Sequence, residues 1–173
     1  CTIAGLWKGL KDLYAIGFID RLPRLISAQA EGCHPINRAI AENRPWQPME
    51  AKTLADSIAV GVPRNADKAL MAIRESHGLV VNVSDEEIMA AQKLLGMTCG
   101  VFGEPAGVTG TAGVKKLCEQ GIIGKNDTVV SVVTGNGLKD VANAIKFCGE
   151  PMKLPNDLSL LTAEFDRRGI VTD

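Results

Sequence analysis

The residues best suited to chemistry form the turn Thr134-Gly135-Asn136-Gly137-Leu138-Lys139-Asp140. They follow Thr128 to Val133, an apolar β-branched run that reads as a buried strand, and precede a helical pattern carrying Val141, Ala144 and Ile145. Two glycines at a strand's carboxyl end let the backbone turn sharply and approach a ligand closely. In open α/β sheets that edge is where ligands bind. Thr134, the first residue off the strand, would aim a hydroxyl into the crevice; the competing reading is an ordinary strand-to-helix turn. A second candidate is Cys1-Thr2, at the start of the first helical pattern. Unpaired N–H groups and the dipole at a helix N-terminus suit a phosphate, at about 0.3–1 kcal/mol from the dipole. Thr2 could add a hydroxyl donor, although these two residues alone favour a simple cap. Glu104, before Pro105 at another helix start, is a third candidate, with a structural role favoured over a catalytic one.

Other chemistries find no support. Gly135-x-Gly137 meets Asp140 where a dinucleotide fingerprint needs its third glycine, and neither a Walker loop nor a nucleophile elbow occurs. Cys1, Cys33, Cys99, Cys118 and Cys148 are odd in number, widely spaced and free of CxxC, which argues against zinc and a disulfide framework. Free thiols in a reducing cytoplasm fit better. His34 and His77 lie far apart with no ligand cluster beside them. A net charge of −1 supplies no field for nucleic acid or an anionic membrane. No apolar run reaches the roughly 20 residues of a membrane helix.

Around these candidates the sequence alternates helices and strands. Ile3, Leu6, Trp7, Leu10, Leu13 and Tyr14 recur at helical spacing, with Gly17 where a helix-ending glycine belongs. A short strand is expected over 25–30, a helix over 35–41 and an exposed excursion over 43–50. Thr53 to Ile58 reads as a short helix, Ala66 to Ser76 as a longer one ended by Gly78, and Leu79 to Val83 as a strand. Ser84-Asp85-Glu86-Glu87 is a capping box ahead of Ile88, Ala91 and Leu95. Pro105 to Gln120 is a helix holding Gly107, Gly110 and Gly113, each a cost of about 1 kcal/mol in isolation. Tolerating three implies that another backbone packs very close. Pro151 and Pro155 bracket a linker, and Leu158, Leu161 and Phe165 mark a short helix docked at the end. The alternation predicts a three-layer α/β domain with a mostly parallel sheet of three or four strands and helices on both faces. So few strands, an opening inside a helical pattern and the lack of an initial methionine suggest a piece of something longer.

Several segments together resemble one family. They are Thr2-Ile3-Ala4-Gly5-Leu6-Trp7-Lys8-Gly9, Arg21-Leu22-Pro23-Arg24 with Gln29-Ala30-Glu31-Gly32, and Leu54-Ala55-Asp56-Ser57-Ile58 with Val60-Gly61-Val62-Pro63. Ser84-Asp85-Glu86-Glu87-Ile88, Glu104-Pro105-Ala106 and Thr134 to Asp140 complete the ordered set. Residues 1–147 thereby resemble the C-terminal part of the fold-type II (tryptophan synthase β-like) pyridoxal-phosphate enzymes, with residues 148–173 a helical appendage. The Thr-Gly-x-Gly-Leu-Lys-Asp ending leans toward the threonine synthases.

The resemblance implies pyridoxal 5′-phosphate as cofactor. It implies that Cys1 and Thr2 close a loop binding the 5′-phosphate and that Thr134 hydrogen-bonds the pyridine nitrogen. Cys1 stands where the family usually has Gly, so only its backbone can serve; Asn136 replaces a frequent His. The implied reaction converts O-phospho-L-homoserine and water to L-threonine and phosphate, in a cytoplasmic enzyme that is commonly a homodimer. The family's Schiff-base lysine sits in an S-x-K-D-R-G-like stretch of the N-terminal half. Lys11 and Lys139 come closest here, but neither continues Arg-Gly, so no catalytic residue is assigned and the chain alone is expected to be inactive. Alternatives are a cysteate synthase or threonine dehydratase-like lyase, a non-catalytic domain of the same fold, and a nucleotide-binding module.

Overall fold

The computed structural model describes residues 2–150, 153–154 and 156–170. Cys1 therefore lies outside the described residues. Two strands form the centre: β1 (Ile26–Ala30) and β2 (Leu79–Val83) pair in parallel, with Ile26 opposite Leu79 and Ala30 opposite Val83. Paired residues share a face, and the period of two divides the side chains between two helical layers.

On one face, Ala28, Ala30, Val81 and Val83 pack with Ile88 and Ala91 of α4 (Asp85–Cys99) and with Val108, Ala112 and Leu117 of α5 (Pro105–Glu119). On the other, Val80 joins Ile36 and Ala39 of α2 (Pro35–Ala41) and Ala66, Ala69, Leu70 and Ile73 of α3 (Ala66–Glu75). Ser27 also faces α2, where the buried Asn37 accepts from its hydroxyl and donates to the Ser27 and Val81 carbonyls. Helices thus cover both faces of a parallel pair, as the three-layer reading expected.

The N-terminal helix α1 (Thr2–Ala15) docks on α3 through Trp7, whose Nε1 donates to Glu75 Oε2 at 2.6 Å. Gly17, at φ +74°, ends that turn. The capping box forms: Ser84 Oγ accepts from Glu87 N and Glu87 Oε2 accepts from Ser84 N, fixing α4 at the end of β2. Lys116 closes the same edge by donating to Asn82 O and Glu87 Oε2. Its bond to the Glu87 carboxylate holds the Lys116 pKa above the ordinary lysine value.

Three expectations change. The helix over 53–58 contracts to a 3₁₀ turn at Asp56–Ile58, because the preceding Leu54 N and Thr53 hydroxyl bond Asp85 instead. The left-handed residue ending α3 is His77, at φ +50°, not Gly78. Gly78 is needed for a different reason: a Cβ there would stand 2.6 Å from the Leu25 carbonyl oxygen. Most consequentially, Thr128 to Val133 is neither a ladder strand nor buried, so the described residues hold two strands rather than three or four. It runs unladdered beside α5, with Val130 84% and Val132 50% exposed. No backbone hydrogen bond reaches these six residues from any described neighbour. Beyond them come α6 (Val141–Cys148) and α7 (Leu158–Arg168); α7 forms where expected and buries none of its residues.

Candidate functional site

The 134–137 turn is built by α5 and by the segment leading into it. Three backbone contacts join the two stretches: Glu104 N donates to Gly135 O, Gly137 N donates to Phe102 O, and Gly103 bridges Asn136 in antiparallel fashion. Four glycines make this approach possible. A Cβ on Gly107 would stand 3.0 Å from Gly135 N and 3.3 Å from Thr134 N. One on Gly103 would meet Val133 Cγ1 at 2.5 Å, and one on Gly137 the Phe102 ring at 2.6 Å or closer. One on Gly135 would fall inside the Glu104 side chain, whose Cγ would be 2.7 Å away. The close backbone inferred from the glycines of α5 is met at Gly107, where it is the turn itself.

The rest of the turn is fixed locally. Asn136 Oδ1 accepts from Leu138 N, opening a 3₁₀ turn over Gly137–Asp140, and Asp140 accepts from Asn143 N to start α6. Lys139 Nζ lies 3.0 Å from Glu104 Oε2, which ties the far side of the turn back to α5. From below, the buried Gln92 donates its Nε2 to Gly103 O at 2.7 Å. Gln92 Oε1 finds no donor among the described residues, at a cost of about 1–3 kcal/mol for an unmet buried acceptor.

Thr134 tops this scaffold as an exposed residue, and its hydroxyl makes no hydrogen bond among the described residues. Thr2 is also exposed, as the first residue of α1, and no acidic residue occupies that helix's first turn. The two are not carried by one element: α1 rests on α3, whereas the turn rests on α5. Nor does Thr134 sit at the carboxyl edge of β1 and β2. That edge holds Lys116, nine residues beyond Gly107, or about 13 Å along the helix. Lys11 is occupied by Glu75 at 2.9 Å and Lys139 by Glu104. Glu104, read as a structural carboxylate, is in the structure the buried partner of both Gly135 and Lys139. Its signal in the sequence was the Glu-Pro pair at the helix start, but nothing there pointed to residues 135 and 139.

Elsewhere, a cavity of about 300 Å³ opens on the α2 face beside His34, Asn37, Arg38 and Asn82. No group of three metal-ligating side chains assembles among the described residues. Cys33 is buried, which pushes its thiol up, while Cys99, Cys118 and Cys148 are exposed and free. No helix among the described residues is long and apolar enough to cross a membrane.

The chain is 43% identical over 164 residues to the threonine synthase of Methanocaldococcus jannaschii, covering 92% of this chain and 40% of that protein. It is 44% identical over 152 residues to the threonine synthase of Methanosarcina acetivorans, covering 87% and 38%. The chain thus spans about two fifths of the length of these relatives. Among solved structures, threonine synthase from Escherichia coli superposes with a TM-score of 0.60 at 17% identity, covering 85% of this chain and 38% of that one. Maize serine racemase superposes at 0.58 with 18% identity, covering 96% and 43%. At such identities these two establish the fold, which is that of fold-type II enzymes. A family profile described as pyridoxal-phosphate dependent enzyme matches residues 1–135, the stretch that builds both strands, α5 and the start of the turn, and the chain belongs to that family.

Proposed function

We propose that this chain contributes part of the cofactor cradle of a threonine synthase, which converts O-phospho-L-homoserine and water to L-threonine and phosphate. The observation that carries the reading is the Thr134 hydroxyl, without a hydrogen-bond partner among the described residues and exposed on a turn clamped between Gly107 and Glu104. The donor set fits pyridoxal 5′-phosphate. A threonine hydroxyl can donate one hydrogen bond to a neutral ring nitrogen, and the exposure of Thr134 leaves its approach open. The first turn of α1, free of acidic side chains, suits the phosphate through its N–H groups and the Thr2 hydroxyl. Cys1 would add its backbone N–H.

When bound, pyridoxal phosphate supplies the electron sink that lets bonds at an amino acid's α- and β-carbons break. The protein's own share is to orient the ring and set its electronics. Thr134 cannot keep the ring nitrogen protonated as an aspartate would, because its proton is too weakly acidic to transfer. That choice favours elimination chemistry over transamination. Lys11 and Lys139 are both paired to carboxylates, which supports a cofactor-binding lysine outside these residues and an isolated chain without activity.

The test is Thr134→Ala in the complete protein, expressed with whatever sequence flanks the chain in its gene. Loss of one hydrogen bond at the ring should shift the cofactor's absorption and lower turnover about tenfold. An unchanged spectrum and rate would remove Thr134 from the site. Turnover by residues 1–173 alone would refute the assignment of the lysine to another segment.

A further inference from the structure

We propose that Glu104 is a positioning residue for Thr134, an inference that rests on the cofactor reading above. Its buried carboxylate, held by Lys139, would fix the turn that aims the threonine hydroxyl.

Glu104 occupies the N-cap of α5, with φ −68° and ψ 160°, yet its side chain makes no capping hydrogen bond. Glutamate is not among the side chains preferred there, and a Ser or Asp would satisfy the helix better. The side chain is turned away from its own helix and laid against Gly135, filling the space that a Cβ on residue 135 would take. Its backbone N–H donates to the Gly135 carbonyl at 2.9 Å. Gly135 is thus held on one side by Glu104 and on the other by the α5 backbone at Gly107.

The charge has its own consequence. Glu104 is 8% exposed in its side chain, and Lys139 is 62% exposed. A carboxylate this buried is tolerated only when paired. Glutamine would fill the same space against Gly135 without the desolvation cost. What the charge adds is the link to Lys139, on the far side of the turn. Residues 134–137 are therefore spanned by one ion pair, with Glu104 before α5 and Lys139 after the turn. Among the described residues Thr134 has no side-chain hydrogen bond to fix its rotamer, so its direction follows the backbone this pair holds.

The experiment uses the complete protein loaded with pyridoxal 5′-phosphate and reads three quantities: the cofactor's absorption and fluorescence, the pH dependence of that absorption, and Tm. Glu104→Gln and Lys139→Met should each move the spectrum in the direction of Thr134→Ala and weaken cofactor retention about tenfold. Lys139→Arg should restore the wild-type spectrum. The double variant Glu104→Gln/Lys139→Met should be no worse than the worse single variant. Ser84→Ala, a stability change remote from the turn, should lower Tm and leave the spectrum alone. If Thr134→Ala shifts the spectrum and Glu104→Gln does not, Glu104 does not position it. A Glu104→Gln spectral change matched by Ser84→Ala would reduce the effect to stability and overturn the inference. A silent Thr134→Ala overturns the cofactor contact and this inference together.

Discussion

Gly107→Ala separates close approach from helix propensity. An ideal Cβ at this position stands 3.0 Å from Gly135 N, 3.2 Å from Gly135 O and 3.3 Å from Thr134 N, where ordinary contact begins near 3.4 Å. The turn must therefore retreat by about 0.4 Å against atoms that are backbone and held by hydrogen bonds to residues 102–104. Alanine gains about 1 kcal/mol of helix propensity over glycine. Overpacking of a close contact costs about 1–3 kcal/mol. The net should lie between neutral and about 2 kcal/mol destabilising on those two terms. Gly96→Ala is the matched control: Gly96 is in α4, exposed, with no atom of the described residues within 4 Å of where a Cβ would stand. It should simply gain about 1 kcal/mol. The two variants should thus differ by about 1–3 kcal/mol, or roughly 2–12 °C in Tm for a domain of this size. Thermal unfolding reads the difference, and cofactor fluorescence should change in Gly107→Ala alone. If both variants rise in Tm together, the turn does not rest on α5 and the site geometry is wrong.

Two further outcomes follow from the core and the α1–α3 contact. Ile88 is fully buried among Val83, Val108 and Ala112, so Ile88→Ala should cost about 2–5 kcal/mol in urea unfolding; a loss below 1 kcal/mol would mean the α4–α5 layer is not the core. Glu75 has its carboxyl held below the ordinary glutamate range, first by the Trp7 indole N–H and then by Lys11. A depressed folded-state pKa contributes stability that is present above the unfolded value and lost as pH falls through the folded one. The urea midpoint of wild type minus that of Glu75→Gln should therefore be constant at neutral pH and decline as pH falls below about 4.5. A difference that stays flat down to acid pH would refute the Trp7–Glu75 bond.

What was legible in the sequence was what neighbouring residues decide. α2 begins and ends where Pro35 and Ala41 place it, and β2 spans Leu79–Val83 as its apolar run implied. The Ser84–Glu87 capping box is complete within four residues. What failed depended on distant atoms. Thr128 to Val133 has the composition of a buried strand, but composition cannot supply a ladder partner, and none of the described residues does. The link between Glu104 and Lys139 was illegible for the same reason: 35 positions separate them, and no periodicity connects them. Between these extremes stand Gly107, Gly110 and Gly113. Their combined cost of about 3 kcal/mol in an isolated helix is a local rule broken, and a broken local rule points to a compensating feature elsewhere. The structure supplies one at each position: Gly113 receives Ala28 and Val81 from the sheet, Gly110 receives Ser131, and Gly107 receives the Thr134–Gly135 backbone. Six residues of α5, about 9 Å, thus measure the distance from sheet contact to candidate site. The helix pays for that spacing in propensity, and it is what lets one rigid element carry both the core and the turn.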